Sequence, residues 1–143
     1  MDKALIIYWS GTGNTEAMAN GIAKGIEAEG KEVQIVSVDA ASKDMVKEAT
    51  HIALGCSAMG AEVLEEDEME PFVESIEDID WSNKKLALFG SYDWGDGEWM
   101  RNWQERMESC GAGLVKDGLA VNLEPEGEEL EKCIDLGKAL VTA

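Results

Sequence analysis

Residues 4–15 read ALIIYWSGTGNT, and the reading of this stretch decides the fold. Ala4–Tyr8 is an unbroken apolar, β-prone run, the pattern of a strand covered on both faces. The run gives way to glycines, hydroxyls and an asparagine. From Asn14 to Glu29 the pattern becomes helical, with Met18, Ile22 and Ile26 four apart on one face. Gly30 is placed to end that helix as a left-handed cap. A doubly covered strand, a tight turn and a helix form the first half of a βαβ unit. Gly21 and Gly25 cost helix propensity, and close packing of the helix on the sheet is the expected compensation.

The same alternation continues along the chain. Glu32–Val38 alternates like a strand that is half exposed or at an edge, and Ser42 is placed to cap a short helix through Ala49. His51–Cys56 and Lys85–Gly90 read as strands. Between them Met69–Ile79 reads as a helix with Phe72, Val73 and Ile76 apolar. Gly97–Cys110 carries Trp99, Met100, Trp103 and Met107 on one helical face. Gly113–Asn122 reads as a broken fifth strand. Pro125 introduces a last helix reaching Val141, with Leu130, Ile134, Leu136 and Leu140 apolar. Five strands alternating with helices predict an α/β fold, a three-layer, doubly wound, five-stranded parallel sheet in one domain spanning 1–143. In such sheets ligands bind at the carboxyl ends of the strands. Three strands lead there into unusual loops, WSGTGNT (9–15), CSAMGAE (56–62) and GSYDWGDG (90–97).

Asp and Glu number 30 against 12 Lys and Arg, a formal net charge of −18. Nucleic acid is excluded as an expected partner, because phosphate backbones need basic surfaces. No Lys or Arg occurs between Glu48 and Asn83, nor between Leu86 and Met100, and these are the stretches that carry the second and third loops. The three cysteines, Cys56, Cys110 and Cys133, have no metal-ligand spacing, and no secretory pattern precedes the first strand. Reduced thiols in a cytoplasm are expected, with no membrane association.

The first loop suits an anion, since backbone N–H groups at a helix N-terminus and small hydroxyls can cradle a phosphate. It lacks the lysine of a Walker loop, and the third glycine of a dinucleotide fingerprint is Glu16. Residues 8–10 lack the acidic pair of a receiver domain, and the loop lacks the cysteine and arginine of a small phosphatase. Nothing forms a nucleophile–base pair, and the one histidine, His51, reads as structural. Met59 and Trp94 stand in loops beside the phosphate-type turn, where they suggest walls for a flat aromatic ligand. Trp99 and Trp103 read as core.

Taken together, YWSGTGNTEAMA, LGCSAMG, EPF, LFGSY and WGDGEWM resemble the flavodoxins, and most of all the short-chain flavodoxins of anaerobic bacteria. The resemblance implies strand order 2-1-3-4-5 with FMN at the switch point, the established arrangement of that family. It implies that Ser10, Gly11, Thr12, Gly13, Asn14 and Thr15 surround the FMN phosphate with neutral donors, with Ser57 and Ser91 adding hydroxyls. Ala58, Met59, Gly60, Ala61 and Glu62 would meet the isoalloxazine from the second loop, Glu62 at flavin N3–H and the Gly60–Ala61 peptide turning over on reduction. Ser91, Tyr92, Asp93, Trp94 and Gly95 would meet it from the third, with Trp94 and Met59 on opposite faces. Asp93 stands where relatives often carry glycine, and Ala61 where they often carry a polar residue. The implied function is that of a low-potential one-electron carrier cycling between neutral semiquinone and anionic hydroquinone. Its partners would be redox enzymes with basic docking surfaces, such as flavodoxin or ferredoxin reductases, met by a monomer. The acidic runs Glu62–Glu70 and Asp93–Glu98 would rim the flavin edge. An FMN-dependent quinone or nitro reductase and a non-redox anion-binding module are the competing readings.

Overall fold

The computed structural model describes residues 3–11, 13–59 and 63–143. Thr12, Gly60, Ala61 and Glu62, with Met1 and Asp2, lie outside the described residues. The doubly apolar run forms β1 (Lys3–Trp9), and its two faces feed two cores. Leu5 and Ile7 pack with residues of α2 (Lys43–Glu48), α3 (Met69–Ile76) and α4 (Glu98–Ser109). Ala4 and Ile6 pack with α1 (Asn14–Ala28) and α5 (Glu128–Thr142). That alternation is the period of two of a strand, read out on both sides of one sheet.

The remaining strands are β2 (Glu32–Ser37), β3 (His51–Cys56), β4 (Lys85–Tyr92), β5 (Gly113–Leu114) and β6 (Leu119–Asn122). All neighbours run parallel, in the order β2-β1-β3-β4-β5, with β6 also paired to β4. The expected order 2-1-3-4-5 therefore holds, with the fifth position shared by two short segments. The break between them is a turn held from outside the sheet. Gln104 Oε1 accepts from Gly118 N at 2.8 Å, and Gln104 Nε2 donates to Asp117 Oδ1 at 3.0 Å. β2 lies at the edge, as its alternating residues predict.

Gly30 ends α1 with φ +78°. Its N–H donates to Glu27 O at 2.9 Å and that of Lys31 to Ile26 O at 3.3 Å, the two bonds of a Schellman motif. The glycines inside α1 have a different reason from the expected one. They face α5, not the sheet. A methyl at Gly25 would drive into the Ile134 carbonyl, one at Gly137 into the Ile22 carbonyl, and one at Gly21 would reach Cys133 Cβ at 3.0 Å. Two glycines on opposite helices thus let the backbones of α1 and α5 touch. This fixes the spacing of α1 and α5 on their shared face of the sheet.

Overpacking costs about 1–3 kcal/mol where side chains can yield, and here the obstacle is backbone. Gly25→Ala and Gly137→Ala are expected to lower stability by at least that amount in urea unfolding. Gly113→Ala has open space around it and is expected to stay within about 0.5 kcal/mol of the parent.

Candidate functional site

The three loops singled out in the sequence meet above the carboxyl ends of β1, β3 and β4. The first is a tight turn in which Gly13 N donates to Ser10 Oγ at 3.0 Å. Gly13 has φ +95° and is the N-cap of α1. The first described bond back from the helix is Ala17 N to Gly13 O at 3.0 Å. Helix geometry therefore leaves the N–H groups of Asn14, Thr15 and Glu16 without intrahelical acceptors. Among the described residues no side chain takes them. The one carboxylate of that first turn is held elsewhere: Tyr8 Oη donates to Glu16 Oε2 at 2.8 Å, and this bond raises the Tyr8 pKa. Gly11 lies over the Trp9 ring, which a Cβ would meet at 3.0 Å.

Thr15 is fully buried and joins all three loops. Its Oγ1 lies 2.7 Å from Ser57 Oγ and 3.3 Å from Ser91 Oγ, and it accepts from Ser91 N at 3.3 Å. A further bond, Ala58 N to Ser91 O at 3.0 Å, ties the second loop to the third. Trp99 of α4 reaches from below, its Nε1 donating to Cys56 O at 3.1 Å. Gly90 makes room for this approach, since a Cβ there would strike Cys56 O.

The second loop leaves β3 at Cys56 and returns beside it. Met59 and Val63 exchange two backbone hydrogen bonds, of 2.9 and 3.0 Å, and Glu65 N donates to Cys56 Sγ at 3.5 Å. Burial pushes the Cys56 thiol up to about 12, so it stays protonated and packs as a small apolar group. The acidic run after the loop is not a uniform solvated rim. Glu65 is only 7% exposed, and Glu70 is bound by Arg106 at 2.9 and 2.6 Å. Glu66, Asp67 and Glu68 are the exposed acids of that run.

In the third loop Tyr92 packs on Trp99 with ring centroids 5.7 Å apart. Asp93 does not use positive φ; Gly95 and Gly97 do, at +90° and +89°. The substitution at position 93 therefore carries no backbone strain. Trp94 is 60% exposed, far more than any core indole. Arg101, the first cation after this loop, is tied to Asp96 through its carboxylate and carbonyl at 3.1 and 3.0 Å.

Two residues join this edge that the sequence did not single out. Val63 is exposed beside Met59, and Leu123 is exposed beside Tyr92, whose carbonyl accepts from Leu123 N at 2.9 Å. Leu123 is the one non-glycine with positive φ (+62°) among the described residues. Apolar residues at isolated loop positions give no periodic signal, so neither could be read from pattern.

A doubly wound sheet whose carboxyl edge combines a hydroxyl-lined helix N-terminus, with no described cation beside it, and an exposed indole has the layout of the nucleotide-cofactor proteins. Comparison with known proteins narrows the class. The flavodoxin family model matches residues 6–137. The flavodoxin of Clostridium beijerinckii is 52% identical over 135 residues, covering 94% of this chain and 96% of that one. The flavodoxin of Megasphaera elsdenii is 44% identical over 138 residues, covering 96% and 98%. The solution structure of two-electron reduced Megasphaera elsdenii flavodoxin superposes with a TM-score of 0.87 at 43% identity, covering 98% and 99%. The chain belongs to the flavodoxin family. Flavodoxins are electron-transfer proteins rather than enzymes, and FMN is the family's cofactor. No described helix is long and apolar enough to cross a membrane.

Thr15→Val keeps the shape of the buried side chain but leaves the Ser91 N–H and hydroxyl without their shared partner. An unsatisfied buried donor costs about 1–3 kcal/mol, and urea unfolding of the flavin-free protein is expected to show a loss of that size. Thr15→Ser, which keeps the hydroxyl, is expected to retain most of the stability.

Proposed function

We propose that this chain is a single-domain, monomeric, low-potential one-electron carrier that binds FMN at the carboxyl edge of its sheet and cycles between neutral semiquinone and anionic hydroquinone. The observation that carries the reading is the α1 N-terminus, whose first amides have no acceptor among the described residues. Its outward N–H groups are flanked by Ser10 and backed by the Thr15–Ser57–Ser91 cluster, with no described cation beside it. This donor set fits a phosphate monoester, because amides and hydroxyls satisfy its oxygens and the helix dipole favours its charge. FMN supplies the one-electron chemistry, and the chain supplies binding, orientation and electrostatics.

In this reading Ser10, Gly11, Thr12, Gly13, Asn14, Thr15, Ser57 and Ser91 form the phosphate cradle. Met59 and Trp94 cover opposite faces of the ring; Ala58, Gly60 and Ala61 meet it from the second loop, with Glu62 at flavin N3–H, and Tyr92, Asp93 and Gly95 meet it from the third. The buried hydroxyl of Thr15 supports a role in shaping that cradle as well as in lining it. The absence of Lys and Arg from these loops favours low potential, since no nearby cation stabilises the reduced anion. Each carboxylate at ~10 Å costs that anion about 0.4 kcal/mol in water-like dielectric, before salt screening.

The distribution of charge supports steered docking. Lys3, Lys31 and Lys85 stand at the amino ends of β1, β2 and β4, where they offset acids such as Glu29, Glu32 and Glu48. Lys43, Lys47 and Lys84 gather at that same end, around Asp78 and Asp80. Glu66, Asp67, Glu68, Asp93 and Asp96 lie at the carboxyl end. Such a field turns the carboxyl edge toward a basic partner before contact. The three free cysteines, two of them buried, suit a reducing cytoplasm.

Titration of the flavin-free protein with FMN tests the reading directly. Stoichiometric binding and a yellow product are expected, and a protein left colourless overturns the assignment. Trp94→Ala is expected to weaken FMN binding about tenfold, from lost stacking and buried area, and to release flavin fluorescence that the indole quenches. Electron transfer to a basic reductase is expected to slow as salt rises from low values. A flat salt profile would reject steering while leaving FMN binding intact.

A further inference from the structure

The second loop leaves β3 and returns to its starting point, and one buried carboxylate holds the return. Glu65 Oε2 accepts from Asp67 N at 2.8 Å, and Oε1 accepts from Glu68 N at 2.7 Å and Met69 N at 3.0 Å. Its carbonyl accepts from Glu70 N at 2.8 Å. Four amides around the start of α3 therefore end on one residue. Burial alone would raise the Glu65 pKa, but the amides of Met69, Glu68 and Asp67 outweigh it and hold the carboxyl below its ordinary range. The positive end of the α3 dipole acts in the same direction. On its other side Glu65 N reaches Cys56 Sγ, and Cys56 Sγ donates to Ser57 O at 3.3 Å. Glu65 thus joins the helix that follows the loop to the strand that precedes it.

We infer that Glu65 is a positioning residue for the cofactor, fixing the base of the second loop so that Ala58 and Met59 are in place before FMN arrives. The inference rests on the FMN reading above. The side chain is buried and, among the described residues, binds only the start of α3, so it acts on the Met59–Val63 pair through the chain, one residue away at Leu64. An unanchored loop would have to be ordered on binding, and that ordering weakens affinity. The phosphate cradle does not depend on this anchor, being tied through Thr15 to Ser57 and Ser91 at the near end of the loop.

The test uses Glu65→Gln, which keeps the shape of the side chain, removes its charge and places an amide donor against at least one of the three N–H groups. First, native-state hydrogen exchange is read on the flavin-free protein. The amides of Met59, Val63, Asp67, Glu68 and Met69 are expected to exchange faster, with those of α1 and α5 unchanged. Second, riboflavin and FMN affinities are measured by fluorescence quenching for parent and variant. Both are expected to fall by the same factor, about tenfold or about 1.4 kcal/mol, because the ring and not the phosphate feels the loop. Third, the separation of the two one-electron midpoint potentials is expected to change, which a loss of global stability would not produce. Unchanged exchange at Met59 and Val63, or affinities within about twofold of the parent for both flavins, would overturn the inference. So would a loss confined to FMN, which would place the effect at the phosphate. If Glu65→Gln does not fold, Glu65→Asp keeps the charge on a shorter arm and is read in the same three ways. Failure of the parent to bind FMN refutes the functional reading, while the exchange experiment still decides the role of Glu65 in the loop.

Discussion

One buried hydroxyl holds the functional edge of this protein together. Thr15 sits in the first turn of α1, and its buried side chain reaches both Ser57 and Ser91. Three loops separated by 42 and 76 positions in sequence are thereby fixed to a common centre. The arrangement requires α1 to start at a defined height above the sheet. The lateral position of α1 on its face of the sheet is set by its contact with α5, where Gly25 and Gly137 remove the side chains that would hold the backbones apart. Close helix packing far from the site thus reaches the site through one hydroxyl.

The electrostatics of the edge follow from the same economy of charge. An anion bound by amides and hydroxyls needs no cation, and a site without cations does not stabilise further negative charge on its ligand. The carboxylates nearest the loops are sorted by role. Glu16 is held by Tyr8, Glu65 is turned inward and Glu70 is taken up by Arg106. Glu66, Asp67 and Glu68 remain exposed as a negative rim. Chemically identical residues thus perform three tasks: holding a turn, joining two helices and shaping the outer field. Burial and partners decide which, not position in the acidic run.

Local pattern made the frame of the molecule legible. Runs such as ALIIY and HIALGC have the length and composition of doubly covered strands, and the cap at Gly30 follows from its place after an apolar helical face. The three loops were legible because small residues and isolated aromatics at strand ends have few other uses. Long-range partnerships were not. Gly21 and Gly25 signal a close approach, but nothing near them says that α5 is the partner more than 100 residues on. Glu65 lies inside a run of acids and looks like its neighbours; only the fold shows that its side chain turns back onto the helix start. Leu123 adopts positive φ because Tyr92 O draws its N–H into the turn after β6, a constraint set across the sheet.

The two halves of the edge are stiffened by different means. At the phosphate-type turn, order comes from secondary structure itself, because a helix start has fixed amides wherever a helix exists. The ring-facing loop has no such template and is built from separate ties at its ends: Ala58 to Ser91, Met59 to Val63 and Glu65 to the start of α3. Each tie lies at the base of the loop. A base that is ordered in advance lowers the entropy lost when a ligand docks.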